Sequence, residues 1–195
     1  MLLAITMLAT LPEVSKAQTC PPDGWERYNW TGPYTVIESV PDPNGGYCPV
    51  LVYYCLPVDP TEPIIYIDGV EAQSGCDDMS GDQIIKGAEE QVYLDPTLMA
   101  KLGVPNCQEL PAISVELALA SCWAFYPVGS PTIPFYYPCS LDAFCLLRVI
   151  ECIDNSGSVQ VHQTDAEVLG VSECDPPLPT WVPLHCYDIL PCATN

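Results

Sequence analysis

Along much of this chain apolar residues fall at every second position, the period of a strand with one buried face. Tyr34 to Val40 is rich in β-branched and aromatic residues, and "PDPNGGY" then supplies turn residues before Cys48. Val50 to Cys55 predicts a second strand and Ile64 to Asp68 a third. The clearest run is "ISVELALASCWAF": Ile113, Val115, Leu117, Leu119, Trp123 and Phe125 share one face, interrupted only at Ser121. It reads as one long strand. Phe144 to Ile153 is another, "DNSG" turns the chain, and Val159 to Thr164 is expected to pair back as a hairpin.

The helical period appears only in the middle of the chain. Ser80 and Gln83 form a capping box ahead of Ile84, Ile85, Ala88 and Val92 at helical spacing. A short second helix is punctuated by Asp95 as cap, Pro96 in the first turn, and Gly103 ahead of Pro105. The predicted class is α+β: a mostly antiparallel sheet with one or two short central helices, rich in disulfides.

Cysteines change this picture most. "YCPVLVYYC" at 47–55 returns as "FCLLRVIEC" at 144–152, each an aromatic, Cys, three residues, Val, two residues, Cys. Cysteines seven positions apart on a strand lie about 23 Å apart and point to opposite faces. Neither Cys48–Cys55 nor Cys145–Cys152 can therefore bond, and each strand must be stapled to different elements on its two sides. A third cysteine follows each copy, Cys76 after Cys55 and Cys174 after Cys152. This suggests two related halves, 18–106 and 107–175. The helices between the copies, and Cys139, Cys186 and Cys192, have no counterparts in the other half, which favours one composite sheet with helices on one side. The two quoted strands and the general spacing resemble uncharacterised cysteine-rich exported bacterial proteins with a recurring "YC-x-V-x-YC" strand. The resemblance implies export and carries no activity.

All twelve cysteines, Cys20, Cys48, Cys55, Cys76, Cys107, Cys122, Cys139, Cys145, Cys152, Cys174, Cys186 and Cys192, follow an apolar opening, "MLLAITMLATLPEVSKAQTC". Leu2 to Leu11 has the length of a signal-peptide core, and Ser15-Lys16-Ala17 places small residues at the cleavage positions, although no basic residue precedes the run. Residues 1–17 read as a signal peptide, 18–175 as a disulfide-stapled α+β domain, and 176–195 as a Pro-rich tail. The run is too short to span a bilayer as a helix, and no later segment reads as transmembrane. An even, dispersed cysteine set in an exported chain reads as six disulfides. The close C-x-x-C pairs of zinc or thioredoxin sites do not occur.

Charge narrows the partners. Five Lys and Arg stand against 25 Asp and Glu, a net charge of −20. Such a surface repels phosphate backbones and excludes nucleic acid. It attracts divalent cations, and "CDDMSGD" gathers Asp77, Asp78, Ser80 and Asp82 as hard oxygen ligands suited to Ca²⁺. The register is not that of an EF-hand, and Asp82 also suits the positive end of the helix capped by Ser80. Trp25, Tyr28, Trp30 and Tyr34 cluster, as do Phe135, Tyr136 and Tyr137; they could grip a glycan or pack beneath a sheet. Asn29 lies in an N-glycosylation sequon, "NWT". His162 and His185 lack a catalytic frame and read as surface histidines, and oxidised cysteines offer no thiolate nucleophile. No enzyme is expected.

The sequence thus predicts a secreted, non-catalytic structural or assembly protein that self-associates: a filament, coat or surface-layer subunit at the cell surface, in the periplasm or outside the cell. The tail "PPLPTWVPLHCYDILPC", extended and pinned by Cys186 and Cys192, is suited to lying across a neighbour. A monomeric module binding a glycan or a protein is the alternative.

Overall fold

Turn chemistry delimits the first strands. Strand β1 (Trp30–Pro41) ends where the Asp42 carboxylate accepts a 2.7 Å hydrogen bond from the Asn44 backbone, and Gly45 and Gly46 take positive φ. Strands β2 (Tyr47–Pro57) and β3 (Ile64–Ala72) follow, then helices α1 (Gly81–Leu94) and α2 (Pro96–Lys101). The remainder is β4 (Ile113–Ala120), β5 (Trp123–Val128), β6 (Ile133–Pro138), β7 (Phe144–Ile153), β8 (Val159–Leu169) and the short β9 (Val182–Pro183). The computed structural model describes residues 20, 29–59, 63–108, 112–120, 123–128, 133–138, 144–169 and 182–183.

All nine strands among the described residues join one sheet. It is mixed: the ladders between its strands are antiparallel except β3–β4, which is parallel from Ile64↔Glu116 to Tyr66↔Ala118. The helices explain this departure from a simple meander. Parallel neighbours need a long crossover, and α1 with α2 is that crossover. Both helices start as their sequence signals dictate. The Ser80 side chain accepts from Gln83 N while the Gln83 side-chain oxygen accepts from Ser80 N, and the Asp95 carboxylate accepts from Thr97 N at 2.8 Å.

The run from Ile113 to Phe125 is not one strand. β4 lies beside the first half of β3, whereas the second half of β3 pairs with β6 through Val70↔Tyr136 and Glu71↔Phe135. β5 continues in the direction of β4 but lies one strand further out, paired with β6. The chain steps sideways, and β6 occupies the place beside β3. Val115, Leu117 and Trp123 nevertheless face the same core, because the step preserves the inward face.

That core lies between the sheet and the two helices. Val50, Val52, Ile65, Ile67, Val70, Leu147 and Val149 meet Ile84, Ile85, Ala88, Val92, Leu98 and Met99. Helix α1 packs closely on β1: a Cβ on Gly87 would lie 2.1 Å from Val40 Cγ1. On the opposite face Cys55, Ile64, Tyr66, Ala118 and Leu146 form a smaller cluster, with Trp30 against it.

The disulfides follow these two faces. Cys48 belongs to the helix-side core and bonds Cys76; Cys55 belongs to the opposite cluster and bonds Cys20. Cys152 bonds Cys107. Each described bond therefore ties a repeated strand to a segment outside it, as the spacing requires.

The two copies also sit in matching surroundings. β2 lies between β1 and β3, and β7 between β4 and β8, all antiparallel. The register slips between Tyr53 and Tyr54 in one and between Ile150 and Glu151 in the other, the same position of the repeat. In both, the extra residue lies on the following strand: Asp68 in β3 and His162 in β8.

Candidate functional site

Among the described residues the sheet has three terminal strands, β1, β8 and the two-residue β9, and its two long free edges are the outer sides of β1 and β8. The edges differ in chemistry. β8 presents the exposed Asp165 and Glu167, charges of the kind that keep an edge from pairing. β1 carries no lysine or arginine, and its one acid, Glu38, is partly buried; Thr35, Ile37 and Ser39 are exposed. Large apolar side chains are exposed on the β1–β2 hairpin: Ile37 is 73% and Tyr47 70% exposed on the face away from the helices, whereas Tyr34 packs against the core residue Tyr54 with centroids 5.7 Å apart. Ile37 stands opposite Leu51 in the register, and the neighbouring Tyr53 rests edge-on against Phe135 with centroids 5.6 Å apart. The arrangement offers an uncharged strand edge beside an apolar strip, the elements of strand-to-strand association.

A second grouping lies at the other copy. The register slip in β8 brings His162 to the Cys107–Cys152 bond, its Nε2 3.1 Å from Cys152 Sγ. Among the described residues only Cys107, Cys152 and His162 bring three potential metal-ligand atoms within 4.8 Å of one another. Because Cys107 and Cys152 are bonded to each other, neither offers a thiolate to a metal in this state.

A third feature is a set of buried acids. Asp68, Glu89 and Glu151 are buried, and both Glu151 oxygens lack a hydrogen-bond partner. Burial pushes the Glu151 carboxyl up to about 8. Burial, with repulsion from Glu90, takes Glu89 to about 8 against the opposing pull of Lys86. Burial raises Asp68 to about 7. Glu38 also rises to about 7, through burial and then repulsion from Asp95. Composition alone does not separate these four acids from those at the surface. Parity was the available signal: Glu151 shares the inward face of β7 with Leu147 and Val149.

The expected site residues fare unequally. Asp77, Asp78 and Asp82 are exposed and do not converge into a three-ligand group; Asp82 sits in the first turn of α1, where it complements the helix dipole. Trp30 packs edge-on against Tyr66 at 6.3 Å, and Tyr136 is buried. Trp25, Tyr28, His185, residues 1–17 expected to be a signal peptide, and the expected tail 176–195 apart from Val182 and Pro183 lie outside the described residues. So do Cys122, Cys139, Cys174, Cys186 and Cys192. Asn29 immediately precedes β1, is exposed, and accepts a bond from Val58 N through its carbonyl. No helix among the described residues is long and apolar enough to cross a membrane. No family model, curated protein or solved structure matches this chain.

Proposed function

We propose that this protein is an exported, disulfide-stapled structural subunit that associates with copies of itself through the β1 end of its sheet. The observation that carries the reading is the edge of β1, uncharged on its exposed face and unpaired among the described residues, beside exposed Ile37 and Tyr47, on a molecule otherwise dense in carboxylates. A partner of the same kind supplies an equally uncharged edge and apolar strip, so pairing buries both without placing a carboxylate in the contact. Three disulfides among the described residues suit an oxidising compartment, and staples on both faces suit a part that must endure there. No catalytic frame is part of this reading.

Negative-stain microscopy of the native material tests it. Ordered polymers or regular oligomers are the expected result. Monodisperse single particles that bind a glycan array would favour a monomeric binding module instead.

A further inference from the structure

We propose that Cys107–Cys152 is an exchange-active disulfide, opened by a small external thiolate with His162 assisting the departure of Cys152. The proposal concerns the β7–β8 hairpin and does not depend on self-association.

The two sulfurs are unequal. Cys152 is buried, whereas Cys107 is only half-buried, on the segment that reaches β7 through the parallel Asn106↔Ile153 bridge. An incoming thiolate therefore reaches Cys107 Sγ. Its lone pair forms the new S–S bond there, the Cys107–Cys152 bond breaks, and that electron pair leaves on Cys152 as a thiolate. The products are a mixed disulfide at Cys107 and a buried sulfur anion, with no other oxidant or reductant required. Disulfide exchange runs faster when the leaving sulfur is a stabilised thiolate, and an adjacent imidazole N–H or imidazolium stabilises one. His162 Nε2, 3.1 Å from Cys152 Sγ, stands where that N–H acts on the leaving sulfur. In the reverse step the Cys152 thiolate attacks Cys107 Sγ and the external sulfur leaves as a thiolate, so the site closes again.

The fold supplies an internal comparison. Cys55 holds in β2 the place that Cys152 holds in β7, and Asp68 holds in β3 the place of His162 in β8. An acid at that position cannot hold a thiolate by charge. Cys20–Cys55 and Cys48–Cys76 thus serve as references in the same chain.

The experiment treats the full oxidised chain with reduced glutathione for timed intervals, quenches with acid, and quantifies each opened bond by differential alkylation and peptide mapping. Cys107–Cys152 is expected to open about tenfold faster than Cys48–Cys76. His162→Ala should slow that bond by about tenfold and leave Cys48–Cys76 unchanged, and added imidazole should restore part of the rate. His162→Gln, which keeps a side-chain N–H donor, should fall between the two. His162 is exposed, so these substitutions leave the core intact. Equal opening rates for the two bonds, or a His162→Ala rate equal to that of the native chain, would overturn the proposal.

Discussion

A carboxylate with no hydrogen-bond partner in an apolar core must stay protonated or destabilise the fold. Glu151 is such a group, and Glu89 is close to one. Each has a folded pKa raised to about 8 from an ordinary value near 4.5. The stability it contributes is complete below about pH 4.5 and is lost as pH rises through 8, because the unfolded chain gives up its proton first. Asp68 and Glu38, raised to about 7, act in the same direction. Thermal melts should therefore show the highest Tm in weak acid and a steady fall from pH 5 to pH 9. Glu151→Leu should stabilise the protein at pH 8 by on the order of a few kcal/mol, read as a higher Tm, and change it little at pH 4.5. A Tm that climbs between pH 5 and pH 8 would contradict this. These acids were the part of the molecule least legible in the sequence. Composition makes acid the commonest charge, and only its place on an inward face separates a buried carboxyl from a surface one.

At the scale of elements the sequence was read more fully, because capping and turn residues act locally. Ser80–Gln83, Asp95–Pro96, Asp42 with Gly45 and Gly46, and Asp154 ahead of Gly157 end or start their elements where the residues indicate. The β4–β5 step was not legible, since both segments keep the same inward face and the cause, insertion of β6, is a tertiary one. Prolines at both ends of β6, Pro134 and Pro138, also masked it as a strand. The α1–β1 contact gives a direct test of packing. Gly87→Ala should destabilise the protein by on the order of 1–3 kcal/mol, since the added methyl falls on the buried, β-branched Val40 side chain, which must give way. Val40→Ala in the same chain should recover part of that loss, so chemical unfolding of the two single variants and the double should show strong non-additivity. Additive effects would mean that the helix does not press on β1 at this point.

Over the whole molecule, two three-stranded antiparallel units with the same slip of register, β1-β2-β3 and β4-β7-β8, are each tied through a repeated strand. Cys48 bonds Cys76 across a separation of 28 residues, and Cys145 and Cys174 stand in the corresponding relation. A non-reduced peptide map should therefore contain a Cys145–Cys174 bond, and full reduction should add about 12 Da, two hydrogens for each of six bonds. Free thiols in the denatured, unreduced chain would reopen the assignment. Net charge of −20 sets the conditions for association. Like-charged subunits repel, and salt screens that repulsion beyond about 10 Å at 0.1 M, so contact through the apolar β1 edge should strengthen as salt rises. The most direct test is sedimentation velocity of the full chain and of Ile37→Lys across a salt series. Ile37 is exposed, so lysine there leaves the fold intact while charging the free edge. The native chain should move from small to larger species as salt rises, while Ile37→Lys stays monomeric throughout. A native chain that remains monomeric at every salt concentration, indistinguishable from Ile37→Lys, would contradict it.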